Sequence, residues 1–255
     1  MIGIVCNFSE KAKCECFIMI INLISGPRNV STALMYSFAQ RNDTLVIDEP
    51  FYGYYLRLTG IIHPGRKRIM NSMSSDIEEV TKDLLNQNHG KKIIFVKNMA
   101  HHHIHVDEQF LRSVKNVFLI RNPAELLVSF SKVIKDPTLD DIGVKKSWEL
   151  YHQLINADEA PVVIDSGELL KDPELMLEKL CKSIGISYEV NMQTWPAGSR
   201  KEDGIWAEYW YHNLHKSTGF IKSEPKEVEV PDELRSVCNE AMGFYNELFT
   251  VSIKV

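Results

Sequence analysis

The sequence has no excess of basic charge, few cysteines and no apolar run of membrane length, and each shortage removes a class of function. Its 255 residues carry 29 Lys and Arg against 34 Asp and Glu, a net charge of −5. No global basic field draws the chain to nucleic acid or to an anionic membrane, although a local basic pocket for an anionic ligand needs only a few residues. The apolar run from Phe17 to Ile24, broken by Asn22, is too short to span a bilayer. The charges before it are mixed and no small-residue cleavage site follows, which does not fit a signal peptide. The five cysteines are an odd number, and three fall within the first 16 residues. Cys14-x-Cys16 lacks the gap of a zinc knuckle and no second pair completes a site, so the cysteines read as reduced thiols of a cytoplasmic protein. With 44% apolar and 25% charged residues, collagenous, disordered and coiled-coil classes are excluded. A chain of this length buries a full core without staples.

What is present is an alternation of strands and helices without internal repeats. Residues 1–16 read as a poorly specified leader, and 17–255 as one domain. Continuously apolar stretches predict strands at 17–25, 44–47, 92–97, 117–120 and 161–165. Helical periodicity predicts helices at 31–40, 75–87, 123–134, 143–157, 172–184 and 232–249. Apolar strands separated by helices mean a parallel sheet covered on both faces, an α/β architecture of three layers. Residues 188–231 break the pattern, with Trp195, Trp206, Tyr209, Trp210 and Tyr211 set among polar residues. A long aromatic segment of this kind is a lid or binding loop, or else an irregular packed extension.

Two places carry chemistry. The first strand ends in Ser25-Gly26-Pro27-Arg28-Asn29-Val30-Ser31-Thr32 and a helix begins at once, which aims free backbone N–H groups and the helix dipole at one point. Ser31 and Thr32 add hydroxyls and Arg28 adds charge, so the loop suits a phosphate; Ser31 as a plain N-cap is the competing reading. The second Gly and the Lys of a Gly-x4-Gly-Lys-Ser/Thr loop are missing, so the loop reads as an anion site without a metal. Arg121 stands at the carboxyl end of the fourth strand, where ligands of parallel sheets bind, and Ser129 follows eight residues later. Arg121 taken singly reads equally as a surface ion-pair residue.

These residues resemble the sulfotransferase family. SGPRNVSTAL is similar to its 5′-phosphosulfate loop, usually Lys/Arg-Ser-Gly-Thr-Thr. FLIRNPAELLVSFSK is similar to its 3′-phosphate motif, and GELLKDPELMLEKLCKSIGI to a helix of its C-terminal third. Arg200-Lys201 with Gly204-Ile205-Trp206 is similar to a segment that covers the donor, one residue short. GPRNVSTALMYSFAQR with DEPFY resembles a sulfotransferase-like branch. The resemblance implies a P-loop-NTPase-like fold and a metal-free transfer. The donor is 3′-phosphoadenosine 5′-phosphosulfate (PAPS), leaving adenosine 3′,5′-bisphosphate (PAP), and the acceptor is a small molecule. It assigns donor contacts to Arg28, Asn29, Val30, Ser31, Thr32, Arg121, Ser129, Arg200 and Lys201, with Arg28 as the cation at the bridging oxygen. The chemistry also demands a base. Where some members carry a His after the strand Lys, Lys97-Asn98-Met99 stands here, so Met99 replaces it. Glu49 fits the position of the Glu used on carbohydrates and is favoured over a structural cap. Lys97 is set to contact the sulfuryl group, and His101 to assist or replace Glu49.

The run His101-His102-His103-x-His105 looks metal-like but lacks the partners and spacing of a metal site. His63-Pro64-Gly65-Arg66-Lys67-Arg68 reads as a solvated basic loop, and Asp140-Asp141 as helix-surface charge. Two other functions fit the same residues. One is a nucleotide-dependent phosphotransferase; the other is a binding module that kept the fold and lost turnover, for which Val30 and Met99 speak.

Overall fold

A computed structural model describes residues 18–86, 90–224 and 227–255. The leader at 1–16, Phe17 and three of the cysteines lie outside the described residues. The chain alternates as expected, through β1 (Met19–Ser25), α1 (Ser31–Phe38), β2 (Thr44–Asp48), α2 (Tyr52–Thr59), α3 (Arg66–Ser72), α4 (Ile77–Asn86) and β3 (Ile93–Met99). Next come α5 (Glu108–Ser113), β4 (Lys115–Ile120), α6 (Pro123–Phe130), α7 (Leu139–Ile142), α8 (Val144–Asn156) and β5 (Val162–Asp165). The remainder is α9 (Ser166–Lys171), α10 (Pro173–Ile184), α11 (Ala207–Trp210) and α12 (Arg235–Thr250). The five strands form one sheet in the order β2-β3-β1-β4-β5, and every neighbouring pair is parallel. Among the described residues no helix is long and apolar enough to cross a membrane.

Period-2 alternation divides each strand between two cores. Ile20 and Ile24 of β1 join Ile94, Val96 and Phe118 under α8 and α12, while Ile21 and Leu23 join Phe95 and Leu119 under α1 and α10. Asn22 and Ser25, also buried, are the polar exceptions within β1; Asn22 is the networked one. Its side chain bonds Asn98, Asn116 and His103, so the polar group is satisfied by others placed in the same layer.

Helix ends follow local chemistry. Pro123 and Pro173 occupy first-turn positions of α6 and α10, behind Asn122 and Asp172 caps, where the missing N–H costs nothing. Gly185 ends α10 at φ 82°. Some boundaries differ from the periodic reading. The stretch at 123–134 ends as an α-helix at Phe130, and 232–249 opens as a 3-10 turn before α12. In the basic cluster at 63–68, residues 66–68 are helical rather than loop: Gly65 at φ 71° caps α3. Arg66 there donates to the Leu56 carbonyl and Arg68 pairs with Glu208.

Candidate active site

Parallel strands place their carboxyl ends on one edge, and the loops that follow them build one cavity of about 700 Å³. Such an edge is where ligands of open α/β sheets bind. The loop after β1 supplies Arg28–Thr32, β2 supplies Glu49, β3 supplies Lys97 and the histidine turn, and β4 supplies Arg121; all line the cavity.

The 25–32 loop is held in an unusual shape. Arg28 and Val30 have φ 56° and 52°, in the left-handed region that L-residues avoid, Val most of all. Val30 holds its positive φ although it is a β-branched residue. No side chain caps α1, so its first N–H groups stay free for an anion. Ser31 therefore acts as the first helical residue rather than as the cap. Gly26 has no side-chain option, because a Cβ there would collide with the Ile142 carbonyl. The Asn29 amide is buried and bonds the Leu119 carbonyl, which ties the loop to β4.

Arg28, Arg121 and Ser129 form one group. Arg28 Nε donates to Ser129 Oγ at 3.2 Å. Arg121 Nη1 donates to the Arg28 carbonyl at 2.6 Å, and its other nitrogens hold Glu125 Oε2 at 3.1 and 3.3 Å. The Arg28 side chain therefore lies toward Ser129. Arg200 and Lys201 do not line the cavity. Arg200 pairs with Glu202 and covers the Tyr36 ring, and the Lys201 side chain is exposed.

Beside the loop lies a buried ionic cluster. Lys97, fully buried, donates to Glu49 Oε1, to Asp48 Oδ1 at 3.1 Å and to the Tyr211 hydroxyl at 2.8 Å. Tyr211 in turn donates to Asp48 Oδ2 at 2.8 Å and contacts Thr32 of the anion loop. Burial raises the Glu49 pKa, as does the Asp48 charge, against the opposing pull of Lys97. Burial alone would lower Lys97, but the two carboxylates hold it above its usual value. One cation shared by two carboxylates leaves Glu49 the more basic for it. The Glu49 backbone sits at φ 43°, a strained setting of about 1–3 kcal/mol that clusters at functional sites.

The histidines do not converge on a metal; among the described residues no group of three or more His, Cys, Asp or Glu is arranged to hold one. His103 is drawn into the Asn22 network and His105 bonds Tyr54. His102, which the sequence did not single out as a base, pairs with Glu49, Nδ1 to Oε2 at 3.8 Å. Burial pulls the His101 pKa down to about 4 and that of His102 well below its usual value. Both rings are neutral at pH 7. Asp141, read from sequence as surface charge, also lines the cavity and closes a capping box with Thr138. From the aromatic segment Trp195, Trp210, Tyr211, Leu214 and Phe220 line the cavity, but His212 and Lys216 do not. Asp48, from sequence only a fallback base, and Tyr211, from sequence only one of the aromatics of 188–231, join the cluster directly. Asp48 precedes Glu49 and was visible as a second carboxylate, whereas nothing local marks Tyr211 apart from its aromatic neighbours.

Comparison with known proteins agrees with this layout. The Sulfotransferase domain family model matches residues 19–251. Two curated Arabidopsis thaliana proteins, Branched-chain-amino-acid aminotransferase-like protein 1 and protein 2, are 39% and 36% identical over 230 residues. That match covers 90% of this chain and 41% of each relative, so the chain spans about two fifths of their length. A sulfotransferase from Alicyclobacillus acidocaldarius has the same fold at TM-score 0.54 and 13% identity, over 91% of this chain and 96% of its own. The sulfotransferase domain of the curacin biosynthetic pathway gives 0.53 and 14%, over 89% and 98%. The family match over nearly all the described residues, with the anion loop and the ionic cluster facing one cavity, makes this chain a member of the sulfotransferase family.

Proposed function

We propose that this domain transfers a sulfuryl group from PAPS to a hydroxyl or amine of a small-molecule acceptor. The observation that carries the reading is a single cavity lined by the uncapped α1 terminus, by Arg121 and by Arg28, which bonds Ser129, and by the Glu49–Lys97 pair. A nucleotide with phosphates at its 5′ and 3′ positions needs two separate anion sites, and these residues fit that demand. The free N–H groups of α1 with Ser31 and Thr32 would hold the 5′-phosphosulfate, and Arg121 with Ser129 the 3′-phosphate. When bound, the donor supplies an electrophilic sulfur with a phosphate leaving group. Glu49 takes the acceptor's proton as the acceptor's oxygen or nitrogen bonds to sulfur and the electron pair of the breaking S–O bond passes to the phosphate oxygen. Lys97 then faces the negative charge that grows there, released in part from Glu49 once that carboxyl is protonated. Trp195, Trp210 and Phe220 exclude water, which would otherwise hydrolyse the donor.

The test is thermal unfolding with PAP, and with ATP plus Mg²⁺. PAP without metal should stabilise the fold, by about 2.7 kcal/mol at a hundred times its dissociation constant. Stabilisation by Mg²⁺–ATP alone would favour a phosphotransferase. PAP binding without turnover on any hydroxyl or amine acceptor would favour a module that only binds.

A further inference from the structure

Two carboxylates share one ammonium beside the anion loop, and their surroundings differ. Asp48 and Lys97 are register partners across β2 and β3, so their side chains leave adjacent strands side by side. Lys97 is fully buried and donates to Asp48, to Glu49 and to the Tyr211 hydroxyl. An ammonium has three hydrogens, and these three bonds use them all. Lys97, Glu49 and Tyr211 line the cavity, whereas Asp48 does not, and its side chain is 1% exposed.

Asp48 is held by more than Lys97. Tyr211 donates to its Oδ2 at 2.8 Å, and the Gly204 N–H donates to the same oxygen at 3.2 Å. A side chain at 204 would strike the Trp206 ring, whose Nε1 donates to the Tyr211 oxygen at 3.3 Å. The turn at 204–211 therefore packs onto Asp48. Glu49 is held less fully. Its Oε1 meets Lys97 and, at 3.5 Å, Tyr211; its Oε2 faces His102 Nδ1 at 3.8 Å, and Asp48 and Tyr52 complete its charged and titratable neighbours.

This difference matters when a proton arrives. If Glu49 were the one counter-charge, protonating it would leave a buried ammonium unpaired, which is strongly unfavourable; the amine would then give up its own proton instead. With Asp48 in place, Lys97 keeps a counter-charge and two of its three bonds, and the third hydrogen is freed at the cavity wall. We infer that Asp48 is the positioning residue of this site: with Tyr211 it holds Lys97 as an ammonium, while Glu49 alone takes up and gives back the proton. The O–H or N–H bond of the acceptor breaks, its electron pair stays on the nucleophile and its proton bonds to Glu49. The charge of Lys97 is the same before and after. The inference rests on the proposed transfer in calling Glu49 the base; the division between the carboxylates stands on the ligand-free cluster.

The test is a carbon NMR titration of the carboxyl groups in the full chain, with the Glu49 signal assigned by its loss in Glu49→Gln. In Asp48→Asn the Glu49 midpoint should fall by about one pH unit or more, the usual effect of removing a like charge and leaving the opposite one. Tyr211→Phe keeps every charge but strips Asp48 of a donor. Lys97 is then drawn harder to Asp48, and the Glu49 midpoint should rise. A cooperative thermal transition reports that each variant is folded; if Asp48→Asn does not fold, Tyr211→Phe decides alone. In the transfer assay the acid limb of the pH–rate profile should move down in Asp48→Asn together with the Glu49 midpoint, while KM for PAPS stays within about twofold. A purely structural role for Asp48 would not move that limb. A Glu49 midpoint that stays or rises in folded Asp48→Asn, or that stays or falls in Tyr211→Phe, would overturn the assignment. Midpoints that move as stated in a chain without turnover would support the roles of the two carboxylates and strike the transfer reading instead.

Discussion

Replacing Arg121 by Ala should weaken PAP far more than adenosine 5′-phosphate, which lacks the 3′-phosphate. A charge-assisted hydrogen bond contributes about 1.5–3 kcal/mol. In the ligand-free chain the guanidinium is held by Glu125, one turn away on α6, at 3.1 Å. That pair is partly solvated and i,i+4, worth about 0.3–0.5 kcal/mol, and part of it is surrendered when a phosphate enters. The net loss should be about 1–2.5 kcal/mol, or roughly 5- to 70-fold in affinity. Calorimetric titration of both nucleotides against wild type and variant reads it directly. Adenosine 5′-phosphate should change less than about threefold, a residue of the lost bond from Arg121 to the Arg28 carbonyl. Glu125→Gln gives the opposite sign: it frees the guanidinium and removes a carboxylate near the incoming phosphate, so PAP should bind tighter. Equal weakening of both nucleotides by Arg121→Ala, with no gain from Glu125→Gln, would refute the 3′-phosphate role.

Arg28→Ala should follow the same pattern, because its side chain is bonded to Ser129; a selective loss of turnover with PAP affinity intact would instead return it to the bridging oxygen. Glu49→Gln should lower transfer by roughly 10²–10⁴-fold, the usual contribution of a general base, with PAP affinity little changed; wild-type turnover would remove Glu49 as base. Lys97→Met leaves Asp48 and Glu49 buried without their cation and should cost about 3–5 kcal/mol, read by chemical denaturation. Acid should weaken the fold through the buried imidazoles. Burial pulls His101 and His103 down to about 4 from 6.5, so below pH 6.5 the unfolded chain binds protons first. Stability is full above that pH and falls toward pH 4, at about 1.4 kcal/mol per pH unit for each such group. A melting temperature that is flat from pH 7 to 5 would contradict this.

Much of the site was legible because its signals are local. Strand, tight turn and helix follow one another within residues 19–38, so this loop could be read without its partners. Arg121 and Ser129 share one turn-and-helix segment, and Glu49 stands directly after its strand. The Glu49–Lys97 bond was half visible, since both residues end strands and strand ends share an edge. What failed were choices among neighbours. The sequence offered four histidines in five positions and no reason to prefer His102 over His101. Packing decided it: Tyr52, from α2, stacks on the His102 ring, whose Nδ1 lies 3.8 Å from Glu49.

By itself the sequence determined the parallel sheet, the strand–turn–helix loop at its edge and the family, because apolar periodicity and short motifs act within a few residues. Only the tertiary structure decided that Arg28 turns toward Ser129, 101 positions away. The same holds for Tyr211, which joins Asp48 and Lys97 across 163 and 114 positions, and for Arg200 and Lys201, which stay outside the cavity. Such contacts depend on how whole elements pack, and a charged or aromatic side chain carries no local mark of the partner it will meet.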